Sequence, residues 1–352
     1  MNIVVLCIGK SRYGQIDEVK EFLHLAESND FKVTYLALAV VNTPSPNTYI
    51  HSGYLRHMQS VCLDLKPDFV VCNIALKSRY QRNLEKYLKA KLLDRTEILL
   101  SLFEKRATSA AGKLQVELAR LSYMQTKLVR GWTHLERQRG GIGLRGGPGE
   151  TQIEVDRRIL RENIHKTKKK LDKLTKTRNL NRQRRQNDST YVISLVGYTN
   201  AGKSTFFNLV TEEKTWANDQ LFATLDPLVR NVNLPNIHKN TLLVDTVGFM
   251  RDLPKELLTA FHSTLEEICF SDLILHIIDC SDPEMSEKIE SVEATLQTIG
   301  IDGIPVLKVF NKSDLNPGFK VDIKNNACMI SAHTKSSCHD LYQLLAKFAN
   351  NQ

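Results

Sequence analysis

The segment Gly197-Tyr-Thr-Asn-Ala-Gly-Lys-Ser204 follows directly on the β-type run Tyr191 to Val196. A strand feeding a turn of this spacing and then a helix is the required context of a P-loop. The glycines let the backbone wrap a phosphate chain so that several N–H groups point inward, and the helix that starts near Gly202 adds the positive end of its dipole. Gly197, Asn200, Ala201, Gly202 and Thr205 are expected to line this turn. Lys203 is expected to neutralise the β and γ phosphates, and the Ser204 hydroxyl to bind Mg²⁺. The bare pattern arises by chance in roughly one chain per hundred of this length, so its companions matter.

Those companions come in order. Leu242 to Val244 is an apolar strand ending at Asp245-Thr-Val-Gly248, where the carboxylate can hold Mg²⁺ through water and the Gly248 N–H can sense the γ phosphate. Thr224, in Phe222-Ala-Thr-Leu-Asp-Pro227, lies between the two in a segment suited to a mobile switch, and is assigned to the metal and the γ phosphate. Lys203, Thr224 and Gly248 are thus the residues expected to act on the reacting phosphate. Asn311-Lys-Ser-Asp314 closes the run Val306 to Phe310. A carboxylate at Asp314 accepts two hydrogens from guanine N1 and N2, an arrangement adenine does not offer, so GTP and GDP are the expected ligands. Ser331-Ala-His333, after the strand Ala327 to Ile330, fits a loop backing guanine O6. Residues 189–352 therefore read as an α/β P-loop domain with a mostly parallel sheet.

Upstream, residues 1–104 alternate short apolar runs with amphipathic stretches: Ile3 to Ile8, Glu18 to Glu27, Val33 to Val41, Leu55 to Leu65, Phe69 to Asn73. That is the grammar of a small α/β domain. From residue 105 the character changes. Lys113 to Leu128 carries Leu114, Leu118, Leu121 and Leu128 at helical spacing. Arg139 to Gly149 then holds six glycines and a proline, which forbid regular structure while Arg139 and Arg145 ride on flexible backbone. A second long helix is expected from about Thr151 to Gln186, so residues 105–188 form a helical hairpin or coiled-coil arm.

Between Arg157 and Arg185 that second helix has thirteen Lys or Arg and two acids, Glu162 and Asp172. A solvated face is the ordinary meaning of such a run. With so few compensating acids, however, self-repulsion disfavours an isolated helix, and a nucleic-acid contact through residues such as Arg157, Arg158, Lys168, Lys169 and Lys170 is expected. The net charge of +9 points the same way.

Seven scattered cysteines without a CxxC pair argue against a disulfide framework or zinc site, which makes a reducing cytoplasm the natural inference. No apolar run reaches the roughly 18 residues of a membrane span. Met1 to Gly9 is apolar but has no basic leader or cleavage site, and reads as a buried first strand. A monomer is the default expectation.

Taken together, Gly197 to Ser204, Asp245 to Gly248, Asn311 to Asp314 and Ser331-Ala332 resemble the translation-factor-related GTPases. Phe222 to Pro227 and Asp245-Thr-Val-Gly-Phe249 are similar to the Obg and HflX branch. Gln81-Arg-Asn-Leu-Glu85, Asp94-Arg-Thr-Glu97, Lys113-Leu-Gln-Val-Glu-Leu118, Trp132-Thr-His-Leu135 and Gly140 to Arg158 resemble HflX, so the likeness covers nearly the whole chain.

The resemblance implies a cytoplasmic GTPase that binds the large ribosomal subunit, its arm and glycine loop reaching rRNA near the peptidyl-transferase centre, and that splits stalled or idle ribosomes under stress. It also implies that Asn200 helps to hold a potassium ion beside the phosphates. Phe249 stands where many GTPases place a water-orienting glutamine, so intrinsic hydrolysis is expected to be slow and accelerated by the ribosome. His333 departs from the commoner Lys, and this sequence ends soon after Ser331, so the contacts of the extra C-terminal domain of longer members are not expected. Two other readings stay open: an assembly or checkpoint GTPase that docks without splitting, and ATP-dependent RNA remodelling by residues 1–104, where no P-loop pattern occurs.

Overall fold

The structure, a computed structural model, describes the chain except residues 11–15, 139–151, 188–189, 213–220, 223, 238, 266, 302, 322–325 and 351–352. It divides into two compact units, residues 1–105 with 116–169, and residues 106–115 with 170–352.

The first unit is built on β1 (Asn2–Gly9), α1 (Ile16–Glu27), β2 (Lys32–Val40), α2 (Ser52–Leu65), β3 (Phe69–Cys72), α3 (Ser78–Leu88), β4 (Leu92–Leu93) and α4 (Arg95–Arg106). Among the described residues its sheet runs β2-β1-β3-β4, with every pairing parallel. β1 is an interior strand covered on both faces, which is why Ile3 to Ile8 are continuously apolar and all buried. Val4, Leu6, Met58, Val70, Cys72, Leu84 and Leu88 form its core.

The start of α4 is a capping box. The Glu97 N–H donates to Asp94 Oδ1 at 3.0 Å, and the Asp94 N–H donates to Glu97 Oε2 at 2.9 Å. α5 (Ala110–Gln138) and α6 (Gln152–Asn187) make up the helical stretch. From α5, Lys127 Nζ reaches Asp94 Oδ2 at 2.9 Å and Gln81 Oε1 at 2.6 Å. α5 begins three residues before the expected Lys113 because Ser109 caps it, its Oγ accepting the Gly112 N–H at 2.9 Å, and it runs on past Leu128 to Gln138.

The second unit adds β5 (Tyr191–Val196), α7 (Lys203–Thr211), β6 (Leu228–Val232), β7 (Thr241–Asp245), α8 (Lys255–Leu265), β8 (Leu273–Asp279), α9 (Met285–Ile299), β9 (Val306–Asn311), β10 (Ala327–Met329) and α10 (His339–Asn350). The sheet order is β10-β9-β8-β5-β7-β6, parallel except for the β6–β7 pair. Ile193, Leu195, Phe206, Leu243, Leu275, Ile277, Val309 and Leu345 fill its core. The expected α/β class, helical middle and mostly parallel P-loop sheet are therefore what the chain forms. No described helix is long and apolar enough to cross a membrane.

Candidate nucleotide site

The loops that leave the carboxyl ends of β5, β7, β9 and β10 meet at one edge of the second sheet, where open parallel sheets place their ligands. The turn after β5 needs left-handed backbone. Gly197 has φ 152° and Gly202 has φ 90°, and Asn200, at φ 63°, is a residue type that tolerates it. The two glycines also need their missing side chains: a Cβ on Gly197 would collide with the Ile277 carbonyl, and one on Gly202 with the Asn311 amide.

Lys203 opens α7 and is buried. Its ammonium donates to the carbonyls of Gly197 at 3.0 Å and Tyr198 at 2.8 Å, so the loop holds the cation over its own concave side. Burial pushes its pKa down to about 8, partly offset by the nearby Asp245 carboxylate. A Cβ on Gly248 would stand 2.9 Å from Thr199 Cγ2 and 3.2 Å from Lys203 Nζ, so only glycine leaves room there for a phosphate oxygen.

Beside the lysine, three oxygens converge from three separate segments. Asp245 Oδ2 accepts from Ser204 Oγ at 2.9 Å and from Thr224 Oγ1 at 2.7 Å, while the two hydroxyls lie 2.9 Å apart. Asp245 is fully buried and its Oδ1 has no partner. Burial pushes its carboxyl above the usual range, against the pull of Lys203 and the two hydroxyls. An orphaned buried carboxylate oxygen beside two hydroxyls suits a small hard cation that completes its shell with water and phosphate oxygens. Among the described residues no cluster of three or more His, Cys, Asp or Glu could hold a metal without such help.

The base end is assembled differently. Asn311, buried at the end of β9, donates from Nδ2 to the Ala201 carbonyl at 2.9 Å and accepts at Oδ1 from the Ala332 N–H at 2.9 Å. Its amide thus ties the P-loop to the Ser331-Ala332 loop. Lys312 has φ 62° and pairs with Asp279 at 2.7 Å. Asp314 and His333 are exposed, whereas Ser331 and Ala332 are buried. The residues singled out on the sequence for the phosphates and the base therefore gather at one sheet edge. Of the basic residues, Arg158 and Lys168 to Lys170 are exposed, Arg157 is partly covered, and Arg139 and Arg145 lie outside the described residues.

The backbone bridge made by Phe249 and the contacts of Asp226 escaped the sequence reading. Phe249 is buried and bridges the P-loop by backbone alone, its N–H donating to the Gly197 carbonyl at 3.1 Å and its carbonyl accepting the Thr199 N–H at 2.7 Å. Asp226 accepts from the N–H of Ser109 at 2.8 Å and the hydroxyl of Thr108 at 3.0 Å. Burial raises the Asp226 pKa, but those donors outweigh it and hold the carboxyl below its usual value. A Thr-Ser pair ahead of Ala110-Ala111 was the available signal for a cap at this point.

Comparison with known proteins agrees with this geometry. Residues 16–104 match the family described as GTP-binding GTPase N-terminal, residues 106–185 the GTP-binding GTPase middle region, and residues 192–312 the 50S ribosome-binding GTPase family. The chain is 50% identical over 294 residues to the GTPase HflX of Magnetococcus marinus, covering 84% of this chain and 68% of that one. It is 41% identical over 338 residues to the GTPase HflX of Escherichia coli, covering 94% and 79%. A crystal structure of SsGBP with GDP shares the fold over 100% of this chain and 99% of its own, with a TM-score of 0.54 at 24% identity.

Proposed function

This chain belongs to the HflX family of GTPases and hydrolyses GTP, and from that premise we propose that it docks on the large ribosomal subunit and splits stalled or idle ribosomes. The observation that carries the proposal is α6. Its exposed Arg158 and Lys168 to Lys170 sit on a helix too basic to be stabilised by its own acids, inside a chain whose residues 192–312 match a 50S ribosome-binding family. The arm would comprise residues 105–188, between an N-terminal domain of residues 1–104 and the nucleotide domain of residues 189–352. Its rRNA contacts would include Arg139, Arg145 and Arg157. The site of action is the cytoplasm, and the protein works as a monomer.

In this reading Ser204, Thr224 and Asp245 would hold Mg²⁺, which would supply positive charge against the β and γ phosphates. The remaining work falls to the chain. Lys203 exchanges the Gly197 and Tyr198 carbonyls for phosphate oxygens, which satisfy a buried ammonium better. The Gly248 N–H meets the γ phosphate in the space that its absent side chain leaves. Gly197, Asn200, Ala201, Gly202 and Thr205 would surround the phosphate chain, and Asn200 would offer a ligand to potassium. Asp314 accepts from the guanine N1 and N2 hydrogens, with Lys312 and Ser331 to His333 framing the base.

Light scattering of intact ribosomes mixed with the protein and GTP tests the proposal. Splitting lowers the signal, whereas docking without splitting, the behaviour of an assembly or checkpoint factor, leaves it unchanged and refutes the splitting claim. Binding to isolated large subunits should weaken with salt at a slope near roughly −4 to −5 if about six phosphates are neutralised.

A further inference from the structure

Asp226 lies two residues beyond Thr224, and Pro227 restricts its backbone to extended conformations. Its carboxylate is the meeting point of four donors from the segment before α5. Oδ2 accepts the Ser109 N–H at 2.8 Å, the Thr108 hydroxyl at 3.0 Å and the Thr108 N–H at 3.2 Å, and the Ser109 hydroxyl donates to Oδ1. Ser109 Oγ at the same time accepts the Gly112 N–H, so one hydroxyl caps the helix and grips the acid. Gly112 faces the carboxylate so closely that any Cβ there would collide with Asp226 Oδ1. Thr108, Ser109, Gly112, Thr224 and Asp226 all belong to the same compact unit.

The other end of this short segment is the metal-ligand cluster. Thr224 is buried and in hydrogen-bond contact with Ser204 and Asp245, and Leu225 between the two ends is buried as well. Two residues span at most about 7 Å. With Asp226 gripped, the Thr224 hydroxyl has little freedom to leave the cluster.

We propose that Asp226 is a positioning residue for GTP hydrolysis: by clasping Thr108 and Ser109 it sets the Thr224 hydroxyl beside Ser204 and Asp245, which makes the first turn of α5 part of the switch. The inference rests on the reading of Thr224 as a group that acts on the metal and the γ phosphate. α5 continues from this clasp without interruption to Gln138. The first turn of α5 is therefore linked to Thr224 through the hydrogen bonds of Thr108 and Ser109 to Asp226.

Single-turnover GTP hydrolysis and the affinities of GDP and a non-hydrolysable GTP analogue are measured for the full chain and for Asp226→Ala, Ser109→Ala, Thr224→Ala and the double variant Asp226→Ala/Thr224→Ala. Asp226→Ala should slow hydrolysis roughly tenfold to a hundredfold, the scale set by ångström-level misplacement of a catalytic group, while GDP affinity changes less than about twofold. Ser109→Ala should fall between this variant and the parent, and serves where the larger change disturbs folding. In the double variant the loss of Asp226 should cost nothing beyond the loss of Thr224, which a merely structural cap would not produce. Additive losses, or full turnover in Asp226→Ala and Ser109→Ala while Thr224→Ala is impaired, overturn the clasp alone. Full turnover in Thr224→Ala overturns the underlying reading of Thr224 instead.

Discussion

The backbone of Phe249 brackets the P-loop: its carbonyl accepts the Thr199 N–H at 2.7 Å and its own N–H donates to the Gly197 carbonyl at 3.1 Å. This parallel bridge commits the residue after Gly248 to a structural role, and its side chain is buried rather than directed at a nucleophile. A hydrolytic water in this site receives no amide from Phe249, in contrast to GTPases with glutamine there. Intrinsic turnover should therefore be slow, and added large ribosomal subunits should raise it by about 10³ to 10⁵, the range that externally supplied order contributes in such sites. Steady-state phosphate release with and without purified subunits measures this. Fast turnover that the subunits leave unchanged would sink the expectation.

Asn311 yields a second prediction, because its amide holds two loops together. Asn311→Ala removes the partner of the Ala201 carbonyl and of the Ala332 N–H. Each buried group left unpaired costs about 1–3 kcal/mol. Since the tie serves the P-loop and the base loop together, GDP and GTP affinities should fall alike, by at least about tenfold. Fluorescent-nucleotide titrations report both constants, and a defect confined to GTP would contradict the assignment.

The sequence made the second unit legible because its chemistry is local. Gly197 to Ser204, Asp245 to Gly248 and Asn311 to Asp314 each encode a loop whose geometry follows from a few residues, and the strands before them are short apolar runs. Asp226 was read as one letter of a switch segment, since its partners Thr108 and Ser109 lie 117 or more positions away. Periodicity also began α5 at Lys113, although the cap that starts it is Ser109. In the first unit, Gln81 to Glu85 and Asp94 to Glu97 were visible only as a likeness to HflX. Their physical content is the capping box at Asp94 and Glu97 and the Gln81 amide, which donates to Glu97 Oε2 at 3.0 Å. No spacing rule would have joined them to Lys127, because the join is tertiary.

That join is itself testable. Asp94 is fully buried and accepts from Lys127 Nζ at 2.9 Å, the Tyr123 hydroxyl at 2.8 Å and the Leu76 N–H at 3.1 Å. Lys127→Met keeps the volume and removes the cation, leaving a buried charge with neutral donors only. Removing one partner of a buried pair costs roughly 3 to 5 kcal/mol, and the lysine's remaining 19% exposure puts this case near the low end, about 3 kcal/mol. Denaturant unfolding of parent and variant at pH 7 gives the difference. A loss below about 1 kcal/mol would show that Tyr123 and Leu76 suffice to hold the carboxylate.

His276 sits in β8 against Val196 of β5, almost fully buried, with Nδ1 unpartnered. Burial pushes its pKa down to about 4 from 6.5; Glu293 opposes the shift while Lys308 and Lys203 add to it. The folded value lies below the unfolded one, so the unfolded chain takes up the proton first as the solution is acidified. Stability from this group is complete above pH 6.5 and is lost progressively as pH falls from 6.5 towards 4, by about 3 kcal/mol over the window. His276→Met removes the titration while keeping an apolar fit. Its unfolding free energy should decline less than the parent's over that range, by about 2–3 kcal/mol, when both are measured by urea titration at a series of pH values. Parallel declines in the two proteins would place the acid sensitivity in other groups and refute the assignment.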